Sequence, residues 1–156
     1  MKMKHLLFIL SILLFGFKAE SQISISNTDN EYIKWDFNIK KENNLITIEA
    51  NCKLKDDWHI FSSNEFGDGT INPTKIKIEN ISDNKNKVVY NEMGNLIDSE
   101  IEGIGPVKYF KGTATFQIQF EDLRNTNTFK GEIDYQICNE VMCQAPTTKI
   151  FTVTLK

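Results

Sequence analysis

Past its first 15 residues this 156-residue chain has no apolar run that could form a membrane-crossing helix, no basic stripe, no internal repeat and no low-complexity tract or domain linker. A spanning helix needs about 20 consecutive apolar residues, so helical membrane spans are excluded beyond the N-terminal leader. Without a basic stripe there is no electrostatic footprint for nucleic acid. The 18 basic and 21 acidic residues are scattered in both signs, as on an ordinary solvated surface. Cysteine is scarce, at three residues, and the spacing of possible ligands matches no zinc pattern.

The leader is what remains to explain first. A basic start, Met1-Lys2-Met3-Lys4-His5, precedes the apolar run Leu6 to Phe15. That run is too short to span a bilayer, and small residues at Ala19 and Ser21 predict cleavage before Gln22. An uncleaved anchor is the alternative. Residues 1–21 are therefore read as an export signal and 22–156 as one mature domain of 135 residues. No cysteine follows the apolar run to carry a lipid. The signal removes three lysines and one glutamate, leaving 15 basic and 20 acidic residues. Export places the thiols where disulfides persist.

Alternation with a period of two dominates the mature chain. Ile33, Trp35, Phe37 and Ile39 share one strand face. So do Ile46, Ile48, Ala50, Cys52 and Leu54 after the turn-like Lys41 to Asn44. Short alternating stretches follow at 76–78, 88–90, 114–120, 129–137 and 151–155. Seven short strands divided by polar turns predict an all-β, antiparallel β-sandwich. Two longer loops are expected, Ser62 to Pro73 and Met93 to Pro106, each with glycines. Long loops on a rigid sandwich are where function concentrates.

The cysteines divide into two kinds. Cys52 is in phase with an apolar strand face and reads as a buried small side chain. Cys138-Asn139-Glu140-Val141-Met142-Cys143 places two thiols at the base of a tight turn between the last two strands. Cys138 is out of phase with Ile133, Tyr135 and Ile137, which predicts a position facing away from the core or just past the strand end. A disulfide closing so small a loop contributes only about 2 kcal/mol in the chain-entropy model. The pair is thus either a passive staple or a working redox site. Glu140 between the thiols disfavours a thiolate, and no cation lies beside it in sequence. A soft-metal site drawing on His59, Met93 and Met142 is a third, weaker option.

Three stretches carry a resemblance. Gly131 to Pro146, GEIDYQICNEVMCQAP, resembles the hallmark of the periplasmic N-terminal domain of the thiol–disulfide interchange protein DsbD, the disulfide bond corrector domain family. Lys55 to Phe61 with Pro73-Thr74, and Val107 to Phe116, resemble that family's aromatic strand and the strand after its cap loop. The resemblance implies an immunoglobulin-like sandwich and a periplasmic location. It implies thiol–disulfide exchange without a bound cofactor or metal. Cys143 would form the mixed disulfide and Cys138 would resolve it. The cap would correspond to Ser99 to Gly105, with Glu100 and Glu102 keeping its acidity and Ile101 or Ile104 standing where the family has phenylalanine. Trp58 and Phe61 would floor the site, although core packing is the commoner role of strand aromatics.

The implied partners are a thioredoxin-like electron donor, expected on a separate chain because the sequence stops at Lys156, and periplasmic thioredoxin-fold or disulfide-isomerase acceptors. No nucleic acid is implied, and no membrane span after signal cleavage. The rival reading is a secreted β-sandwich binding or adhesion module whose disulfide is purely structural.

Overall fold

The computed structural model describes residues 23–25, 30–64, 69–123 and 126–155; the expected signal segment 1–21 lies outside them. Ten strands and one short helix follow in order. They are β1 Ile23–Ile25, β2 Ile33–Glu42, β3 Leu45–Leu54, β4 His59–Phe61, β5 Lys75–Ile78, α1 Asp83–Asn86, β6 Val89–Ile101, β7 Gly105–Glu121, β8 Thr128–Tyr135, β9 Ile137–Cys138 and β10 Thr147–Thr154. All pairings are antiparallel. One sheet runs β1-β10-β8-β5, and the other β2-β3-β7-β4-β9 with β6 added along β7.

The alternation puts one face of each sheet inside. Ile33, Trp35 and Phe37 of β2, Ala114, Phe116, Ile118 and Phe120 of β7, and Phe129, Ile133 and Tyr135 of β8 are all buried in one core. Aromatic rings join the two sheets across it. Phe37 stacks on Phe151 at 4.2 Å between centroids, and Trp35 meets Tyr135 edge-on at 5.2 Å. Such pairs favour offset or edge-to-face contact and add about 0.5–1.5 kcal/mol beyond area burial. Cys52 is buried in this core as expected, and desolvation pushes its thiol up to about 12. Burial there disfavours its thiolate.

The segment Met93 to Pro106, expected as a loop, is instead the outer part of a β-ribbon. β6 and β7 pair from Val89↔Gln119 out to Ile101↔Gly105. The glycines that suggested a loop serve the ribbon. The register shifts between Gly94 and Leu96, a β-bulge. Directly opposite, β7 changes its partner on the other side, from β3 at Thr113 to β4 at Lys111, and Gly112 between them has φ +78°. A bulge bends the strand that carries it, so Gly94 and Gly112 mark the division between the inner ribbon and its outer part.

Gly94 is constrained twice. Its φ is +146°, and a Cβ there would lie 2.8 Å from the Thr113 carbonyl oxygen and 2.9 Å from Phe110 Cδ1. Neither the conformation nor the space admits a side chain without movement. Gly94→Ala is therefore expected to lower unfolding free energy by about 2 kcal/mol, measured by urea denaturation. An unchanged midpoint would show that the bulge is not a constraint.

Candidate functional site

The chain changes sheets where β8 ends. Tyr135 pairs with β10, but Ile137 and Cys138 pair with β4 in the opposite sheet. Gln136 between them is buried, and its carboxamide secures the crossover. Its Oε1 accepts from the Asn72 N–H at 3.0 Å, and its Nε2 donates to the Gln144 carbonyl at 3.2 Å. Cys138 lies past the end of β8, as its phase suggested, but it does not face solvent. It is 3% exposed.

The reason is a second, smaller apolar cluster. Cys138 packs with Phe61, Ile71 and Val107, and with the half-buried Ile101, Ile104 and Tyr109. β4 has both faces covered. Ile60, opposite Phe110 and Ile137, belongs to the main core, whereas His59 and Phe61 point to the smaller cluster. The outer part of the β6–β7 ribbon covers that second face.

Cys138 and Cys143 form a disulfide with Cα atoms 3.9 Å apart. The loop between them is closed by Asn139. Its Oδ1 accepts from the N–H groups of Val141 at 2.9 Å and Met142 at 2.8 Å, and its own N–H donates to the Met142 carbonyl at 2.9 Å. The asparagine carboxamide oxygen mimics a backbone turn. Beyond the disulfide, Gln144 N–H bonds to the Ile137 carbonyl at 2.9 Å. The result is asymmetric: Cys138 is buried, and Cys143 is exposed beside the protruding Val141 and Met142.

Both cysteines border a cleft of about 610 Å³ between the disulfide loop and the ribbon tip. Glu100, Glu102 and Ile104 line it from the ribbon, with Ile101; Phe61 lies on its floor, and Glu140 on the loop side. Trp58 does not reach it. That ring is in the main core and stacks on Tyr32 at 4.3 Å. Glu140 is not without a cation, as its sequence neighbours suggested. Lys111 Nζ approaches it at 3.4 Å from the adjacent strand. Both groups are exposed, so the pair adds little stability.

Other site residues have only weak signals in sequence. His59 and Tyr109 line the cleft with ring centroids 4.3 Å apart. Burial, and then the Lys111 charge, lower His59 to about 4, against an opposing effect of Glu140. Ile71 arrives on the segment Ser62 to Pro73, expected as a loop; its described residues, 62–64 and 69–73, form no strand or helix. Glu92 ties that loop down, accepting from Ser62 Oγ, Ser63 N–H and Ser63 Oγ, each at 2.7 Å. Thr74 Oγ1 donates to the Phe61 carbonyl at 2.6 Å. Met93, by contrast, is on β6 opposite Thr115, away from the cleft lining. Among the described residues no group of three His, Cys, Asp or Glu side chains is arranged to hold a metal.

The comparisons with known proteins follow this architecture. No curated protein sequence matches the chain. The fold is similar to that of the N-terminal periplasmic domain of ScsB from Proteus mirabilis, with TM-score 0.64 and 16% identity, covering 83% of this chain and 49% of that one. The chain thus spans about half the length of that relative. It is also similar to the reduced N-terminal domain of DsbD from Neisseria meningitidis, with TM-score 0.51 and 13% identity, covering 78% of this chain and 85% of that one. The sandwich is therefore immunoglobulin-like. A family model, that of the N-terminal part of the thiol:disulfide interchange protein DsbD, matches residues 28–155. With the disulfide, the sheet crossover and the covering ribbon inside that match, the chain belongs to the family of DsbD N-terminal domains.

Proposed function

We propose that the chain is a periplasmic thiol–disulfide exchange domain that cycles its Cys138–Cys143 pair. The observation that carries this reading is the asymmetry of the disulfide. Cys143 is exposed on the wall of a cleft, and Cys138 is 3% exposed in an apolar cluster directly behind it. Exchange needs an accessible attacking sulfur and a nearby resolving one, and this arrangement supplies both. Family membership supports the same chemistry.

In the reduced form Cys143 attacks as a thiolate. Its surroundings are open to water, whereas the apolar packing around Cys138 disfavours a charged sulfur. The Cys143–partner bond forms as the partner's S–S bond breaks, and the first partner sulfur leaves and takes up a proton. Cys138 then attacks Cys143 Sγ. The Cys138–Cys143 bond forms, the mixed disulfide breaks, and the second partner sulfur leaves with the proton that Cys138 gave up. Two electrons pass to the partner. A thioredoxin-like donor runs the same steps in reverse to reload the pair, and periplasmic thioredoxin-fold proteins or disulfide isomerases are the acceptors.

Ile101 and Ile104, packed over the Cys138 cluster, fill the place of a cap. Glu100 and Glu102 make its rim acidic, which favours basic or neutral partners over acidic ones.

The pair's reduction potential, measured by equilibration against thiol buffers with alkylation and mass detection, is expected between about −270 and −120 mV, the range of exchange proteins. A bond that stays closed until the protein unfolds, below about −300 mV, would instead mark a staple and sink the proposal. In the reduced protein, alkylation is expected at Cys143 before Cys138. Cys138→Ala should accumulate mixed disulfides through Cys143, and Cys143→Ala should not. Replacing both Ile101 and Ile104 with alanine is expected to speed reduction by small thiols about tenfold, equivalent to about 1.4 kcal/mol off the barrier. An unchanged rate would show that the ribbon tip does not shield the pair.

A further inference from the structure

His59 is the one histidine of the cleft, and its surroundings are specific. It is directly opposite Cys138 in the β4–β9 pairing and directly opposite Lys111 in the β4–β7 pairing. Facing residues of an antiparallel pair share a sheet face with Cβ atoms about 4.5–5.5 Å apart. Lys111, His59 and Cys138 thus form one cross-strand row. Beneath the ribbon, the imidazole is 7% exposed, wedged between Tyr109 at 4.3 Å and Phe61 at 5.2 Å. Its Nδ1 is buried with no hydrogen-bond partner. Buried polar atoms almost always have one, so such an orphan needs an explanation.

The oxidised state provides it. A sulfur in a disulfide has no S–H to donate. We infer that His59 is the positioning residue for the resolving cysteine, its Nδ1 accepting a hydrogen bond from the Cys138 thiol in the reduced protein. This rests on the exchange reading above. The partner missing from the oxidised form appears when the disulfide opens.

Two features favour the thiol as donor over an imidazolium acting on a thiolate. The ring is neutral at working pH, since burial and Lys111 hold it near 4 against the opposing charge of Glu140. The cluster around Cys138 is apolar, which suits S–H better than S⁻. The hydrogen bond then has two effects. It keeps Cys138 protonated while Cys143 attacks, so the order of the two sulfurs is set. It also gives the reduced state an interaction that the oxidised state lacks, which raises the reduction potential. When Cys138 attacks the mixed disulfide, its proton moves toward Nδ1 and finishes on the partner's leaving sulfur, so no net charge stays in the cluster.

The test uses the mature protein in both redox states. Nitrogen-15 resonances of the His59 ring in the wild type should show an unprotonated Nδ1 in both states, shifted to a hydrogen-bonded value only on reduction. His59→Phe, which keeps an aromatic ring against Tyr109 and Phe61, should lower the disulfide's equilibrium constant toward reduction about tenfold, a fall of about 30 mV. An Nδ1 resonance indifferent to reduction, or an Nδ1 that carries the proton in both states, would overturn the inference even if the variant failed to fold. A folded variant with the wild-type potential would overturn it too. All three of those outcomes leave the exchange reading intact. A wild-type disulfide that resists reduction until unfolding would remove both.

Discussion

The site depends on one buried carboxamide. Gln136 holds the Asn72 N–H with its oxygen and the Gln144 carbonyl with its nitrogen, at the point where the chain leaves one sheet for the other. A break in a strand leaves backbone groups that must be satisfied when buried. Gln136 satisfies one on each side of the gap. That bridge ties the crossover to the segments on either side of it. With it, Ile137 enters the main core beside Ile60, and Cys138 turns to the opposite face of β4. The contrast between a buried and an exposed sulfur follows from this crossover together with the Asn139 turn.

A second constraint builds the roof. A single long ribbon belongs to the sandwich at one end and covers the disulfide at the other. The division falls at Gly94 and Gly112, opposite the place where β7 exchanges β3 for β4. Phe110, Ala114, Phe116 and Phe120 keep one phase toward the main core. Val107 and Tyr109 have the other phase and face the small cluster. One strand thus serves two hydrophobic compartments with its two faces, and the disulfide lies in the smaller.

Much of the sandwich was legible because its strands are covered on one face only. β2, β3, β7 and β8 alternate in burial, and their residues alternate in polarity. β4 was not legible by that rule. His59, Ile60 and Phe61 are all buried, on two different faces, so no alternation exists to read. Cys138 was expected to face away from the core or to lie just past the strand end; it does lie outside the main core, but phase counting within one sheet gives no sign of the second apolar cluster that buries it. Glycines 94, 103 and 105 suggested a loop, yet they mark a bulge and a hairpin turn. The cysteine pair and the acidic, isoleucine-bearing tip could be found in one dimension. His59, Tyr109, Lys111 and Ile71 meet the pair only through cross-strand register or a tied loop, and Glu92 acts through that loop from 29 residues away. Such relations have no local pattern.

The bend at Gly94 and Gly112 also separates two kinds of selection. Inward residues of β7 beyond Gly112 are committed to a shared aromatic core, where any change in volume is felt by both sheets. Residues 95–109 reach the smaller cluster through Ile101, Ile104, Val107 and Tyr109, and the main core resumes at Phe110. The outer ribbon can therefore vary in length, charge and apolar tip without disturbing the sandwich, much as an interchangeable attachment on a fixed handle. Divergence among relatives of such a domain should collect there, and the same sandwich could acquire a different circle of clients by exchanging one hairpin.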